Sequence, residues 1–87
     1  MPTHSALAAA FEDEVAILDA EGRTLLLLDS WAARIWHSCE GNATETIQSM
    51  LGGTPERVHE TLQTLASAGL IARAGGRWTR SAVEWVP

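Results

Sequence analysis

The chain has 87 residues and a formal net charge of −5, with 46% hydrophobic and 20% charged residues. This length and composition predict one globular domain and exclude a disordered chain. The longest stretch without Asp, Glu, Lys or Arg is residues 61–72, which is too short to cross a bilayer. The first twenty residues lack a basic start before an apolar run, so we expect no secretory signal and a cytoplasmic protein without a membrane partner.

The charge is unevenly distributed along the chain. Eleven acids face six basic residues, all of them arginines, and ten of the acids lie in residues 1–60. Residues 61–87 hold one acid and three arginines, Arg73, Arg77 and Arg80. Because binding to phosphate groups supplies most nucleic-acid affinity, this acidic balance predicts no nucleic-acid partner.

Strands are predicted in the first third of the chain. Residues 6–10 are a candidate first strand, and residues 14–18 predict a second with Val15 and Ile17 on one face. Residues 19–22 predict a turn, and residues 23–28 a third strand that contains four consecutive leucines.

Three helices are predicted next, each with its own start and stop signals. Asp29 or Ser30 can cap the first helix, and Gly41 is placed to end it. Asn42 followed by Glu45 predicts a capping arrangement for the second helix.

The third helix and the segment after it have clearer signals. Thr54 and Pro55 predict the helix start, and Val58, Leu62 and Leu65 form an apolar stripe before Gly69 ends the helix. Residues 70–73 and 77–80 flank a glycine-containing turn and predict a hairpin. Together these elements predict an α+β fold, a winged helix-turn-helix, in which an N-terminal antiparallel sheet (6–28) precedes a three-helix unit (30–69) and a wing and tail (70–87).

Several short segments also resemble a known family in their order and spacing. They are Ile17-Leu18-Asp19, Leu27-Leu28-Asp29, Ala32-Ala33-Arg34-Ile35-Trp36, Cys39-Glu40-Gly41, Thr46-Ile47, Leu62-Gln63-Thr64-Leu65 and Ala68-Gly69-Leu70-Ile71. Residues 15–71, about two thirds of the chain, resemble the PqqD-like fold, the peptide-binding module called the RiPP recognition element. The chain departs from many relatives because residues 24–28 contain no aromatic residue and Asp29-Ser30 stands where Leu-Asn is common.

The resemblance implies a non-catalytic adaptor without a cofactor. Such a module binds the leader of a ribosomally made precursor peptide and presents it to a modifying enzyme or leader peptidase. The leader adds as a strand along residues 23–28, against the helix at residues 55–68. The implied peptide-binding residues are Arg23, Thr24, Leu25, Leu26, Leu27, Leu28, Arg57, Val58, Thr61, Leu62 and Leu65.

The leucine run itself has two interpretations. Alternate side chains of a strand face opposite sides, so four leucines in sequence make both faces apolar. Either a helix covers one face and the chain's own termini the other, or an apolar groove lies beside an open edge that accepts a peptide strand. Strand edges are usually protected by Lys or Pro. In the predicted third strand, Arg23 is the one residue that could protect the edge in this way.

Other residues also have alternative roles. Arg57 either pairs with an acidic leader residue or is a surface arginine beside Glu56 and Glu60. Trp78 and the tail containing Trp85 either pack on the domain or contact a partner enzyme.

Catalytic and metal sites are not predicted. His37 and Cys39 are two residues apart and point to different sides of a helix, so they do not predict a catalytic pair. His4, His37 and His59 lack metal-ligand spacing.

Two other classes of protein compete with the peptide-binding adaptor. One is a winged-helix DNA-binding transcriptional regulator, in which Arg73, Arg77 and Arg80 would lie on the wing. The other is a scaffold module that binds a neighbouring enzyme without capturing a peptide.

Overall fold

The structure, a computed structural model, describes residues 6–19 and 24–86 as a small α+β fold. The fold divides into two compact units, one comprising the chain up to Ala33 with Ala82–Pro87 and the other Arg34–Ser81. In chain order the elements are β1 (Ala6–Phe11), β2 (Glu14–Leu18), β3 (Leu25–Leu28), α1 (Ser30–Ser38), β4 (Glu40–Asn42), α2 (Thr44–Leu51), α3 (Pro55–Ser67), β5 (Ile71–Ala74), β6 (Arg77–Arg80) and β7 (Val83–Trp85).

The first unit contains a four-stranded mixed sheet with the order β3-β2-β1-β7. The three N-terminal strands are antiparallel, as the sequence predicts, with Leu7 opposite Leu18 and Leu18 opposite Leu25. The sheet as a whole is mixed, because a fourth strand, β7, pairs with β1 in parallel. The tail is therefore an edge strand of this sheet, whereas the β5–β6 hairpin belongs to the three-stranded sheet. The alternation in Val83-Glu84-Trp85 provides the strand pattern that allows this pairing.

A two-residue turn, Glu12–Asp13, joins β1 to β2, with Phe11 and Glu14 paired on either side of it. Glu12 has a φ of 59°, in the left-handed region that favours glycine. Such a conformation costs a residue with a Cβ roughly 1–2 kcal/mol. The β1–β2 turn therefore keeps Glu12 in a backbone conformation that is strained for any residue with a Cβ.

Replacing Glu12 by glycine is expected to raise the free energy of unfolding by about 0.5–1 kcal/mol, because the relieved strain exceeds the entropic cost of glycine. Urea denaturation followed by tryptophan fluorescence measures this difference. Asp13→Gly is the matched control and is expected to give no gain, since the left-handed φ in this turn belongs to Glu12. Equal stabilisation by both variants would contradict the assignment of strain to Glu12.

The first two helices start and stop partly as predicted. The Asp29 side chain accepts a hydrogen bond from the Ala32 backbone N–H at 2.8 Å, which confirms it as the cap of α1. The helix ends at Ser38, before Gly41, because residues 40–42 form β4 and pair with β6. The predicted Asn42 cap is wrong: α2 has Ala43 at its N-cap without a side-chain hydrogen bond, and the Asn42 amide donates to the Ser38 carbonyl.

The predictions for α3 are confirmed. The Arg57 backbone N–H donates to the Thr54 hydroxyl at 3.2 Å, and Pro55 occupies the first helical turn. The stripe of Val58, Leu62 and Leu65 is buried, and α3 packs against α2 and β5. The helix is thus part of the second unit's core.

The predicted hairpin after α3 is also confirmed. Strands β5 and β6 pair with Arg73 opposite Trp78. Gly75 and Gly76 connect the two strands, and both have positive φ angles, 59° and 77°. A two-residue hairpin turn of this kind requires left-handed backbone at both positions, which glycine adopts without steric cost.

Two tryptophans lie in the core of the second unit. Trp36 is buried and donates its indole N–H to the Leu70 carbonyl at 3.3 Å. Trp78 is also buried and donates to the Thr44 hydroxyl at 2.9 Å. Of the two interpretations of Trp78, packing on the domain is therefore correct, and its indole N–H has a partner as buried tryptophans usually require.

Candidate functional site

Strand β3, which holds most of the predicted peptide-binding residues, lies at the edge of the four-stranded sheet. In the described part of the chain it pairs with β2 on one side, and its other side has no strand neighbour. All of its residues are leucines, so it carries neither of the residue types, Lys and Pro, that usually protect an edge. Among the described strands, this edge of β3 is therefore unpaired, and we call it the open edge.

The pairing with β2 shows which backbone groups face this edge. The Asp19 N–H donates to the Thr24 carbonyl at 3.0 Å, and these two residues continue the register in which Leu18 is opposite Leu25. Hydrogen-bonded and non-hydrogen-bonded pairs alternate along an antiparallel ladder. Leu26 and Leu28 therefore bond to β2, whereas the N–H and C=O groups of Leu25 and Leu27 point towards the open edge.

The side chains of the leucine run divide by the same alternation. Leu25 and Leu27 are 68% and 66% exposed, whereas Leu28 is buried and Leu26 is half-buried. A peptide strand at the open edge would therefore bond to the backbone of the two exposed leucines. Alternate side chains of that peptide would lie beside Leu25 and Leu27 on one face of the sheet.

The predicted site residues on α3 are more buried than those on β3. Arg57 is exposed, Thr61 is half-buried and its hydroxyl donates to the Arg57 carbonyl at 2.9 Å. Val58, Leu62 and Leu65 are buried and belong to the core of the second unit. Among the five predicted site residues on α3, Arg57 and Thr61 are therefore the two whose side chains reach the surface.

The residues of the predicted site are divided between the two compact units, which are described separately. Thr24 and β3 belong to the first unit, and Arg57 and the rest of α3 belong to the second. Arg23 lies outside the described residues. The described part of the β3 edge, Thr24 and Leu25–Leu28, lies within the first unit alone.

A second group of polar side chains surrounds Arg80 in the second unit. Its guanidinium donates to the Glu40 carboxylate at 2.7 Å and lies 3.3 Å from the His37 Nδ1. It also lies 5.3 Å from the Trp36 ring centre, in cation–π geometry. Burial first, and the Arg80 charge second, lower the pKa of His37, against a smaller opposing effect of Glu40. Arg80 therefore joins β6 to α1 and β4.

Cys39 is a buried thiol that donates to the Ile35 carbonyl at 3.3 Å. Burial raises its pKa to about 11, although the Arg80 charge partly opposes this shift. The folded state therefore holds the thiol proton more tightly than the unfolded state. The free energy of unfolding should consequently fall as the pH rises from the usual thiol value of 9.0 towards 11.

At pH 8 we expect Cys39 in the folded protein to react with a thiol reagent at least about a hundredfold more slowly than in urea, because the thiolate is the reacting form. The rate of reaction with a chromogenic disulfide measures this difference. In the folded protein the rate should rise about tenfold per pH unit between pH 8 and 10. Equal rates in the folded and unfolded protein would contradict the burial of this thiol.

Metal binding and membrane insertion gain no support from the described residues. In the described ranges, no three His, Cys, Asp or Glu residues are grouped so that they could hold a metal ion. The described helices include none that is long and apolar enough to span a membrane.

Comparison of the chain with protein-family models, with curated proteins and with solved structures gave no match. The assignment to the PqqD-like family therefore stays a prediction that rests on the sequence segments named above.

Proposed function

We propose that the chain binds the leader segment of a ribosomally synthesised precursor peptide and delivers it to a modifying enzyme or leader peptidase. The leader adds as a strand beside β3. The observation that supports this most is the open edge of β3, where the backbone groups of Leu25 and Leu27 face outward and both side chains are exposed. Strand addition needs these two things, free main-chain partners and nearby apolar side chains.

The number of backbone groups at the β3 edge determines whether hydrogen bonds alone can bind a leader. Two residues with outward backbone groups offer about four hydrogen bonds, each worth roughly 0.5–1.5 kcal/mol net. Ordering a disordered leader costs roughly 2–5 kcal/mol, and association entropy adds to that cost. Main-chain bonds alone therefore do not give useful affinity. The leader must also bury apolar side chains against Leu25 and Leu27, each contributing up to about 1.5–3 kcal/mol.

A titration tests the proposed function. Candidate leaders are sought among short open reading frames near the gene for this chain. They are synthesised with a fluorophore and titrated against the purified protein. We expect saturable binding in the micromolar range, together with slowed hydrogen exchange of the Leu25 and Leu27 amides. If the protein binds a neighbouring enzyme but none of these leaders, the scaffold alternative is correct and the proposed function is wrong.

A second candidate function, a winged-helix DNA-binding regulator, is favoured by one observation. The β5–β6 hairpin follows α3 directly, and its Arg73 and Arg77 are exposed, as on a DNA-binding wing. However, Arg77 donates to the Gly41 carbonyl and Arg73 lies 5.7 Å from the Trp78 ring. The start of α3 also exposes Glu56 and Glu60, which would repel phosphate groups. Strand addition therefore has the stronger support.

A gel-shift assay with duplex DNA separates the two candidates. The peptide-binding proposal expects no shift at physiological salt. A tight complex whose affinity falls steeply with added salt would establish the regulator instead.

A further inference from the structure

The four-stranded sheet has one face whose apolar side chains are exposed to solvent. We call it the outer face, and it comprises Leu7, Ala9, Phe11, Glu14, Ala16, Leu18, Leu25, Leu27 and Glu84, which the strand registers place on the same side. Leu7 and Phe11 on β1 are 39% and 60% exposed, and Leu25 and Leu27 on β3 are exposed further still. The outer face is thus an apolar surface that extends over three strands.

This pattern differs from that of an ordinary half-buried sheet. In an antiparallel sheet with one buried face, the solvent face normally carries polar residues. Here the buried face holds Ala8, Val15 and Ile17, and the opposite face is also apolar. Contiguous exposed apolar surface of this kind marks an interaction site on a soluble protein.

The charges of the first unit indicate the chemistry of the occupant. Its sequence has seven acids and one arginine, a net charge of −6, whereas the second unit has four acids and five arginines, a net charge of +1, which together give −5. The described residues of the first unit include no basic side chain. Glu14 pairs with Phe11 and Glu84 with Leu7, so an acid stands beside each of the two large exposed apolar residues of β1.

These acids select one kind of partner over two others. A second copy of the chain would bring together two outer faces that each carry Glu14 and Glu84 on a unit with a net charge of −6. An anionic lipid surface would be repelled by the same charge. A partner with lysine or arginine beside its apolar residues would instead gain attraction at both ends of β1. Charge complementarity of this kind directs association and excludes wrong partners.

The dimensions of the outer face fit a helix. Strands lie about 4.8 Å apart, so β1 and β3 are separated by about 10 Å. That is close to the diameter of an α-helix with its side chains. One helix lying along the strands could therefore contact β1, β2 and β3 together.

We propose that the outer face docks an amphipathic helix of a partner protein whose apolar stripe is flanked by lysine or arginine. This interaction goes beyond strand addition because it uses side chains of β1, β2 and β3 and not the backbone of the β3 edge. The two sites share the Leu25 and Leu27 side chains, whereas Leu7 and Phe11 belong to the outer face alone.

A designed peptide tests the proposal. The probe is a fluorescent helical peptide of about 18 residues, five turns, with a leucine stripe flanked by lysines. The comparison peptide has glutamate at every lysine position. We expect the lysine peptide to bind the full chain saturably and more weakly as salt is added, and the glutamate peptide not to bind.

Variants on β1 identify the surface that is used. The double variant Leu7→Ser with Phe11→Ser is expected to bind the lysine peptide at least about tenfold more weakly, because it lacks two apolar side chains that the bound peptide would cover. Both residues are exposed in the free protein, so folding should be retained, and circular dichroism checks this. Ala10→Ser, an exposed position on the same strand but the opposite face, is the matched control and should bind normally.

The outcomes also separate this proposal from strand addition. Leader binding at β3 should be unchanged in the double variant, so loss of lysine-peptide binding alone supports a separate docking face. Unchanged lysine-peptide binding by the double variant, or no binding by the wild-type chain, would overturn the proposal. So would sedimentation data showing that the chain dimerises through Leu7 and Phe11, because a second copy would then be the occupant.

Discussion

Shortening Leu62 to alanine is expected to lower the free energy of unfolding by about 3–5 kcal/mol. Leu62 is 0% exposed and lies between Val58 and Leu65 on the buried face of α3. That helix packs against α2 and β5, so the removed carbons leave a cavity inside the second unit. A small domain has little more than this amount of stability in total, and the variant should be substantially unfolded at 37 °C.

Urea denaturation monitored by tryptophan fluorescence measures this loss, since Trp36 and Trp78 are both buried in the same unit. Gln63→Ala, one residue further along the same helix and exposed, is the control and should change stability by less than about 0.5 kcal/mol. A loss below about 1 kcal/mol for Leu62→Ala would mean that the side chain is not in a packed core.

Replacing Leu27 by proline is expected to weaken leader binding by at least about tenfold while leaving the protein folded. The Leu27 N–H faces the open edge, so its removal breaks no bond to β2 but removes one donor to the added strand. The proline ring also obstructs the approach of that strand, which is why proline occurs on protected edges. A lost hydrogen bond and a blocked approach together exceed about 1.4 kcal/mol, which is tenfold in affinity.

Two further variants separate backbone from side-chain effects. Leu27→Ala keeps the N–H but removes the exposed side chain, so it should weaken binding less than proline does. Leu26→Pro removes an N–H that bonds to β2 and should therefore destabilise the sheet itself. Fluorescence titration with the labelled leader gives the affinities, and thermal unfolding gives the stabilities. If Leu27→Pro binds the leader as tightly as the wild type, the leader does not add at β3.

Elements whose signals are local were predictable from the sequence. Thr54 and Pro55 mark the start of α3 because a side-chain oxygen and a missing amide both suit the first turn. Gly75 and Gly76 mark the turn of the β5–β6 hairpin because both positions need left-handed backbone. In each case the physical cause lies within a few residues of the feature, so no knowledge of the tertiary structure is needed.

Features that depend on distant partners were not predictable. Strand β4 has three residues and no strand pattern, and it exists because it pairs with β6. That pairing also uses Asn42 as a strand residue and so removes it from the cap of α2. Strand β7 has an alternating pattern, but nothing near it in the chain indicates that β1 is its partner.

The candidate site was predictable only in part, because some of its features depend on distant partners. The leucine run predicts an apolar strand, but the residues alone do not say that β3 lies at the sheet edge, which follows from the strand order. The register then separates Leu25 and Leu27, which are exposed, from Leu28, which is buried. For α3, the apolar spacing predicted which residues share a face, and burial shows that this face lies in the core.

The parallel pairing of β1 with β7 joins residues that lie far apart in the chain, with Ala6 opposite Val83. While the protein is being synthesised, β1 and β2 can pair early, but β1 lacks its second neighbour until β7 leaves the ribosome. Val83 lies 72 residues after Phe11, so at about 5–20 residues per second its synthesis follows roughly 4–14 seconds later. For that interval the sheet has unpaired strands at both edges as well as an apolar face, so the unfinished chain is more prone to aggregation than the finished one.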